Sequence, residues 1–142
     1  MRTNFSVTSS LKEKQKDELL EMYQNEWWSK NRSKDDVDFI LQNSSFIIAI
    51  INNKNSELCA FSRILTDYFK FSYVYDVIVS TTYRGQGVGK LLLQEITQRP
   101  ILKKVGSIEL VCRKDTMLFY QQFEFTEDYG LSVAMRKVYC DS

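Results

Sequence analysis

Arg84-Gly85-Gln86-Gly87-Val88-Gly89-Lys90 follows the apolar run Val74 to Val79 and opens a segment with helical patterning. Strand, glycine loop, helix is an order suited to holding phosphate. Glycines let successive backbone N–H groups point into one concavity, and a helix starting there adds the positive end of its dipole. Arg84 and Lys90 add side-chain charge. The spacing is neither that of a P-loop nor G-x-G-x-x-G. It is Arg-x-x-Gly-x-Gly, with Arg84, Gly87 and Gly89 in the key places.

Outward from this loop the chain reads as one domain over residues 1–142, with no room for a second. Hydrophobic residues at 44%, charged residues at 26% and a net charge of +1 are ordinary globular values. They give no general case for nucleic acid or membrane binding and favour a small partner. No apolar run approaches a membrane span, and Met1-Arg2-Thr3-Asn4 leads into no signal-like apolar region, which reads as cytoplasmic. Cys59, Cys112 and Cys140 are odd in number and without a C-x-x-C pair, so neither a disulfide framework nor a metal site is expected. The chain has no histidine. Any chemistry must run on carboxylates, tyrosines, lysines, backbone dipoles and water.

Phe5 to Thr8 alternates as a short strand. Ser10 and Glu13 read as a capping box for a helix from about Leu11 to about Trp27, and Ser33 caps a second helix with Val37, Ile40 and Leu41 as its stripe. Ser45–Ile51 and Leu58–Leu65 form a hairpin about a turn at Asn52–Ser56, and Phe71–Val79 is the strongest strand. After the loop, Val88, Leu91, Leu92 and Ile96 share a helical face, with Pro100 just past its end. Val105–Cys112 reads as a strand, Met117–Phe123 as a short helix capped by Asp115 or Thr116, and Leu131–Val138 as a last strand, with one more possible near Thr126–Tyr129. This is an α+β or mixed three-layer order.

The loop resembles the pyrophosphate loop of the GNAT family, the Gcn5-related N-acetyltransferases, and the element order is similar over nearly the whole chain. Leu118 to Phe125 also resembles the family's late F-Y-x-x-x-G-F helix, with Glu124 where glycine is usual. If that position is left-handed, glutamate costs roughly 1 kcal/mol there. The resemblance implies a GNAT-like three-layer α/β/α domain with a central mixed, mostly antiparallel sheet. It implies acetyl-CoA as co-substrate, no metal, and direct transfer of acetyl to a primary amine in a ternary complex. The alternative is a non-catalytic module of the same fold that binds CoA or acyl-CoA. A Rossmann-type domain, suggested by Glu109 about 20 residues past the loop, fails on spacing.

By position, the resemblance puts the pantetheine arm on the backbone of Val77, Ile78 and Val79, and the pyrophosphate on Arg84, Gly85, Gln86, Gly87, Val88, Gly89 and Lys90. Tyr120 matches the tyrosine that protonates the departing sulfur. Asp76 is the first candidate for general base and Tyr73 the second. Strand alternation puts Asp76 on the face opposite Tyr73 and Tyr75 unless a bulge intervenes. A structural aspartate bonded to backbone is the other reading. Trp28 and Tyr73 are candidates for the acceptor wall. Trp28 stands equally as packing, and Trp27 is expected to be packing. Asp35, Asp36, Asp38 and Asp67 suit a cationic amine or are solvated helix and turn residues. The acceptor is a small-molecule or peptide amine of unread identity, and the protein a monomer or homodimer.

Overall fold

The computed structural model describes residues 4–140, so the expectations resting on Met1–Thr3 lie outside it. The chain divides into two compact units, the first ending at Val111 and the second beginning at Cys112.

In the first unit four antiparallel strands lie in chain order: β1 Phe5–Thr8, β2 Phe46–Asn52, β3 Leu58–Thr66 and β4 Ser72–Val79. Helices α1 (Glu13–Gln24) and α2 (Lys34–Asn43) cover one face, burying Leu19, Tyr23, Val37 and Ile40 against Ile47, Ala49, Phe61 and Ile78. Ile48 and Ile50 alternate to the other face. There α3 (Val88–Thr97) packs on β2, β3 and β4 through Val88, Leu92 and Ile96. A sheet covered on both sides explains why β2 is apolar from Phe46 to Ile51.

The helix ends differ from expectation. Helix α1 starts two residues late because Gln15, not Ser10, organises its first turn. Its Oε1 accepts from Lys12 N–H at 2.9 Å, and its Nε2 donates to the Ser56 carbonyl at 2.8 Å. It stops at Gln24, so Trp27 lies in a turn and is 68% exposed rather than packed. Ser33 does cap α2, accepting from Asp36 N–H while Asp36 accepts from Ser33 N–H. Pro100 does not merely follow a helix: it opens the short α4 (Pro100–Val105), where its missing N–H costs nothing.

Val105 belongs to that helix, and Gly106, at φ +104°, ends it, so the expected strand over 105–112 is reduced to a single parallel bridge between Glu109 and Tyr73. Val74 N–H donates to Glu109 carbonyl, and Glu109 N–H to Ser72 carbonyl, each at 2.9 Å. The bridge is the parallel part of a mostly antiparallel arrangement.

The second unit holds α5 (Met117–Gln121), shorter than expected, behind a 3-10 turn at Lys114–Thr116. Thr116 stands at its N-cap without a side-chain cap bond, and Asp115 pairs with Arg113 at 3.1 Å instead of capping. No strand forms over 126–129 or 131–138 among the described residues, and Leu131, Val133 and Met135 are exposed. A period-2 pattern makes a strand only where a neighbouring edge accepts its hydrogen bonds.

Candidate active site

Strand β4 carries one residue more than its partner. Phe61 faces Ile78 and Arg63 faces Tyr75, so two steps along β3 match three along β4. The extra residue is accommodated at Asp76, whose φ is +56°, a left-handed conformation that aspartate tolerates better than most residues. Past the bulge the facing parity of β4 is reversed. Tyr75 and Asp76 therefore both look toward α1 and α2, which plain alternation forbids.

Asp76 is buried there, its side chain 7% exposed, and its Oδ2 accepts three hydrogen bonds. Arg32 Nη1 and Arg63 Nε each donate at 2.8 Å, and Tyr23 Oη at 2.9 Å. Burial and the neighbouring carboxylate push the Tyr23 phenol far above its ordinary value, so it stays a donor. Arg32 comes from the 25–32 connection, fixed by buried Ser29, whose Oγ donates to the Tyr23 carbonyl at 2.8 Å. The Arg32 guanidinium lies 4.5 Å from the Tyr23 ring centre and 5.3 Å from that of Trp28; Arg63 lies 5.6 Å from that of Tyr75. Trp28 meets Tyr23 edge-on, and Tyr73 stacks on Tyr75 at 6.1 Å.

The structure thus brings Asp76, Tyr73 and Trp28 into one neighbourhood. The bonds of the carboxylate run to two guanidiniums and a phenol, not to backbone, and all three of these donors converge on Oδ2. Tyr23, Arg32 and Arg63 were missed in the sequence. A lone arginine inside the apolar run Leu58–Leu65, matched by a lone aspartate inside Ser72–Val79, was the available signal.

Downstream of the bulge, Val77, Ile78 and Val79 run toward the glycine loop. The 107–111 segment reaches β4 only at Ser72–Val74. Ser80 N–H donates to the Cys59 carbonyl, so by alternation the N–H groups of Val77 and Val79 face away from β3. The loop is held from below by Tyr83, whose Oη donates to Glu57 Oε2 at 2.6 Å and accepts from Asn52 Nδ2 at 3.0 Å. Gly85 and Gly87 both have φ +78°, and Gly87 is the N-cap of α3. An added Cβ at Gly85 would meet nothing within 4 Å, so its requirement there is conformational. A glycine cap supplies no side-chain acceptor, which leaves the first-turn N–H groups of α3 for a ligand. Arg84, 57% exposed, pairs with Glu26 at 3.1 Å, Gln86 Nε2 donates to the Thr82 carbonyl at 3.4 Å, and Lys90 is exposed.

Beside the loop, a pocket of about 180 Å³ lies between α1 and residues 79–84. Glu18, Glu21, Glu26 and Glu57 line it. Three of them are committed, to Leu58 N–H, Arg84 and Tyr83. Of the aspartates considered for a cationic acceptor, Asp36 caps α2, and Asp67 accepts from the N–H groups of Phe69, Lys70 and Phe71; these bonds hold both carboxyls below their usual range.

In the second unit Tyr120 packs edge-on against Phe119 and Phe125, at 5.2 and 6.1 Å between ring centres. Burial, with a smaller contribution from Cys112, pushes its hydroxyl up to about 12. Glu124 has φ +68°, so the position where the resembling motif has glycine is left-handed.

A four-stranded antiparallel sheet flanked by helices, its last strand ending in a left-handed glycine turn at a helix N-terminus without a side-chain cap, defines an α+β protein. The chain belongs to the GNAT acetyltransferase family: the model described as Acetyltransferase (GNAT) family matches residues 10–125. It is 30% identical over 113 residues to an uncharacterized N-acetyltransferase, ycf52, of Pyropia yezoensis, covering 78% of this chain and 64% of that protein. It is 28% identical over 75 residues to the chloroplastic GCN5-related N-acetyltransferase 2 of Arabidopsis thaliana, covering 53% of this chain and 29% of that one. The chain therefore spans less than two thirds of these relatives. Among solved structures, a GNAT-family protein from Xanthomonas campestris pv. campestris superposes with a TM-score of 0.77 at 24% identity, over 94% of this chain and 93% of that one. Among the described residues no helix is long and apolar enough to cross a membrane.

Proposed function

We propose that this protein is an acetyl-CoA-dependent N-acetyltransferase acting on a primary amine of a small molecule or peptide. The observation that carries this is the junction of β4 and α3, where left-handed Gly85 and Gly87 leave the first-turn N–H groups of the helix without a side-chain cap. That donor set fits a pyrophosphate. Arg84, Gln86, Val88, Gly89 and Lys90 would complete the cradle, with Arg84 exchanging Glu26 for phosphate oxygen. The family match runs across the boundary between the two units, which supports treating residues 1–142 as one acetyltransferase domain.

Acetyl-CoA supplies an activated acyl carbon and a thiolate leaving group. The outward N–H groups of Val77 and Val79 would grip the pantetheine arm and polarise the thioester carbonyl. The amine nitrogen forms a bond to the acyl carbon as the carbon–sulfur bond breaks. The amine's proton goes to water, and Tyr120 donates its own to the thiolate and recovers it from solvent. Tyr120 is protonated at neutral pH, as any phenol is, and it is the hydroxyl that the late helical motif supplies for this role. Asp76 acts as a positioning residue, holding Arg32 and Arg63 beside the acceptor wall of Trp28 and Tyr73. Three unpaired thiols, Cys59 being buried, fit a reducing compartment, of which the cytoplasm is one.

The test is calorimetric titration with acetyl-CoA, for the protein and for Gly87→Val, followed by thiol release against an amine panel. Binding lost in Gly87→Val, with thiol released in wild type, is the expected result. Binding without release from any amine favours the non-catalytic module. No binding by folded protein ends the acetyltransferase reading.

A further inference from the structure

We propose that Arg32 and Arg63 recognise an anionic group on the acceptor, so that the amine accepted here also carries a carboxylate or a phosphate. This rests on the acetyltransferase reading and names the substrate class of that site.

The charges do not balance. Two guanidiniums share one carboxylate, and among the described residues neither forms another ion pair within 4.0 Å. Asp36 feels the charge of Arg32 but is committed to the α2 cap. Each guanidinium has five N–H donors and spends one on Asp76. The side chains are 25% and 20% exposed, so the remaining donors are partly dried yet reachable. Asp76, Tyr23, Trp28 and Tyr75 hold both planes in place, so an arriving anion need not order them. A fixed pair of guanidinium forks matches carboxylate or phosphate oxygens, whereas an ammonium finds no acceptor on them.

Position agrees with charge. Asp76 directly precedes Val77, and at about 3.3 Å per residue the cluster lies on the order of 3–10 Å along the strand from the proposed thioester grip. A small molecule whose amine and anion are a few bonds apart spans that distance. The glutamate-lined pocket is the competing site for a cationic amine, but Leu58 N–H and Tyr83 occupy Glu18 and Glu57, and Glu26 is freed only once Arg84 turns to the phosphates.

The test pairs amines that differ only in the anion: glycine against glycinamide and O-phosphoethanolamine against ethanolamine, with spermidine as the cationic case. Thiol release is followed at saturating acetyl-CoA in wild type, Arg63→Gln and the milder Arg32→Lys. In at least one pair the anionic member is expected to show kcat/KM at least about tenfold higher, and which pair does so identifies the anion. The preference should fall below about threefold in either variant, while acetyl-CoA affinity stays unchanged. Turnover of the members that lack the anion, or of spermidine, equal to or above that of the anionic members overturns the proposal. A readout without turnover is tryptophan fluorescence, since Trp28 lies against Arg32: acetate or inorganic phosphate should change it in wild type and not in Arg63→Gln. No change in wild type overturns the anion site even where acetyl-CoA binds. Loss of acetyl-CoA binding alone fails the acetyltransferase reading instead.

Discussion

Arg63 Nε and Asp76 Oδ2 meet at 2.8 Å across a bulge that gives β4 one residue more than β3 at this point. Without that residue Asp76 would face α3. The left-handed φ of +56° at Asp76 is the local cost of the arrangement, and the charge-assisted bonds it permits offset it.

Asp76→Asn removes the carboxylate shared by two partly buried guanidiniums. Breaking a fully buried pair costs about 3–5 kcal/mol, and the partial exposure of both arginines reduces this to about 2–3 kcal/mol. Denaturant unfolding measures it. If Asp76 positions the arginines, acetyl-CoA affinity is kept, acceptor KM rises, and the shape of the kcat pH profile is unchanged. A profile that loses its acidic limb in the variant would make Asp76 the base after all.

The parts legible in the sequence are those set by local pattern. β1 to β4, the Ser33 cap and the glycine loop follow from alternation, hydroxyl chemistry and the conformational freedom of glycine, all within a few residues. What was not legible depends on partners distant in sequence. The bulge lets Arg63 and Asp76 be satisfied together; a lone charge in each apolar run hints at a partner, but the register that joins the two lies outside any local window. The 105–112 and 131–138 segments have strand composition but not a strand's hydrogen-bond partners. Trp27 continued a helical stripe that ended three residues earlier, because Ser29 turns the chain back on Tyr23.

Gly87→Val places a β-branched residue at φ +78° and closes the space over the first-turn N–H groups of α3. Acetyl-CoA affinity should fall at least about tenfold, a loss of roughly 1.4 kcal/mol or more, with strain adding about 1–2 kcal/mol of instability. Gly85→Ala separates the two effects: it has the same φ but meets nothing within 4 Å, so stability should fall with a smaller loss of affinity. Titration calorimetry beside thermal melts distinguishes them.

Glu124→Gly should stabilise the protein. At φ +68° the glutamate is strained after α5, where Glu124 N–H donates to the Gln121 carbonyl. Relief of that strain, less the added chain entropy of glycine, leaves about 0.5–1 kcal/mol. This corresponds to a rise in Tm of roughly 1–4 °C for a chain of this size. An unchanged or lower Tm would show that the glutamate makes a compensating contact.

Tyr120→Phe tests proton delivery to the leaving sulfur. Loss of a positioned acid should lower kcat about 100-fold with little change in acetyl-CoA affinity. The pH dependence is separately informative. Burial lifts the hydroxyl up to about 12, so between pH 10 and 12 the folded protein keeps a proton that an unfolded tyrosine releases. The stability this contributes is fully present below about pH 10 and is lost as pH rises through about 12. Tyr120→Phe lacks that ionisation, so its stability should decline less steeply over the same interval, as read by urea unfolding at stepped pH. Ionisation of Tyr120 also cannot produce an alkaline fall in kcat below about pH 10. Any such fall should appear in wild type and variant alike; one that vanished in the variant would place the titrating group at Tyr120, with its value lowered rather than raised.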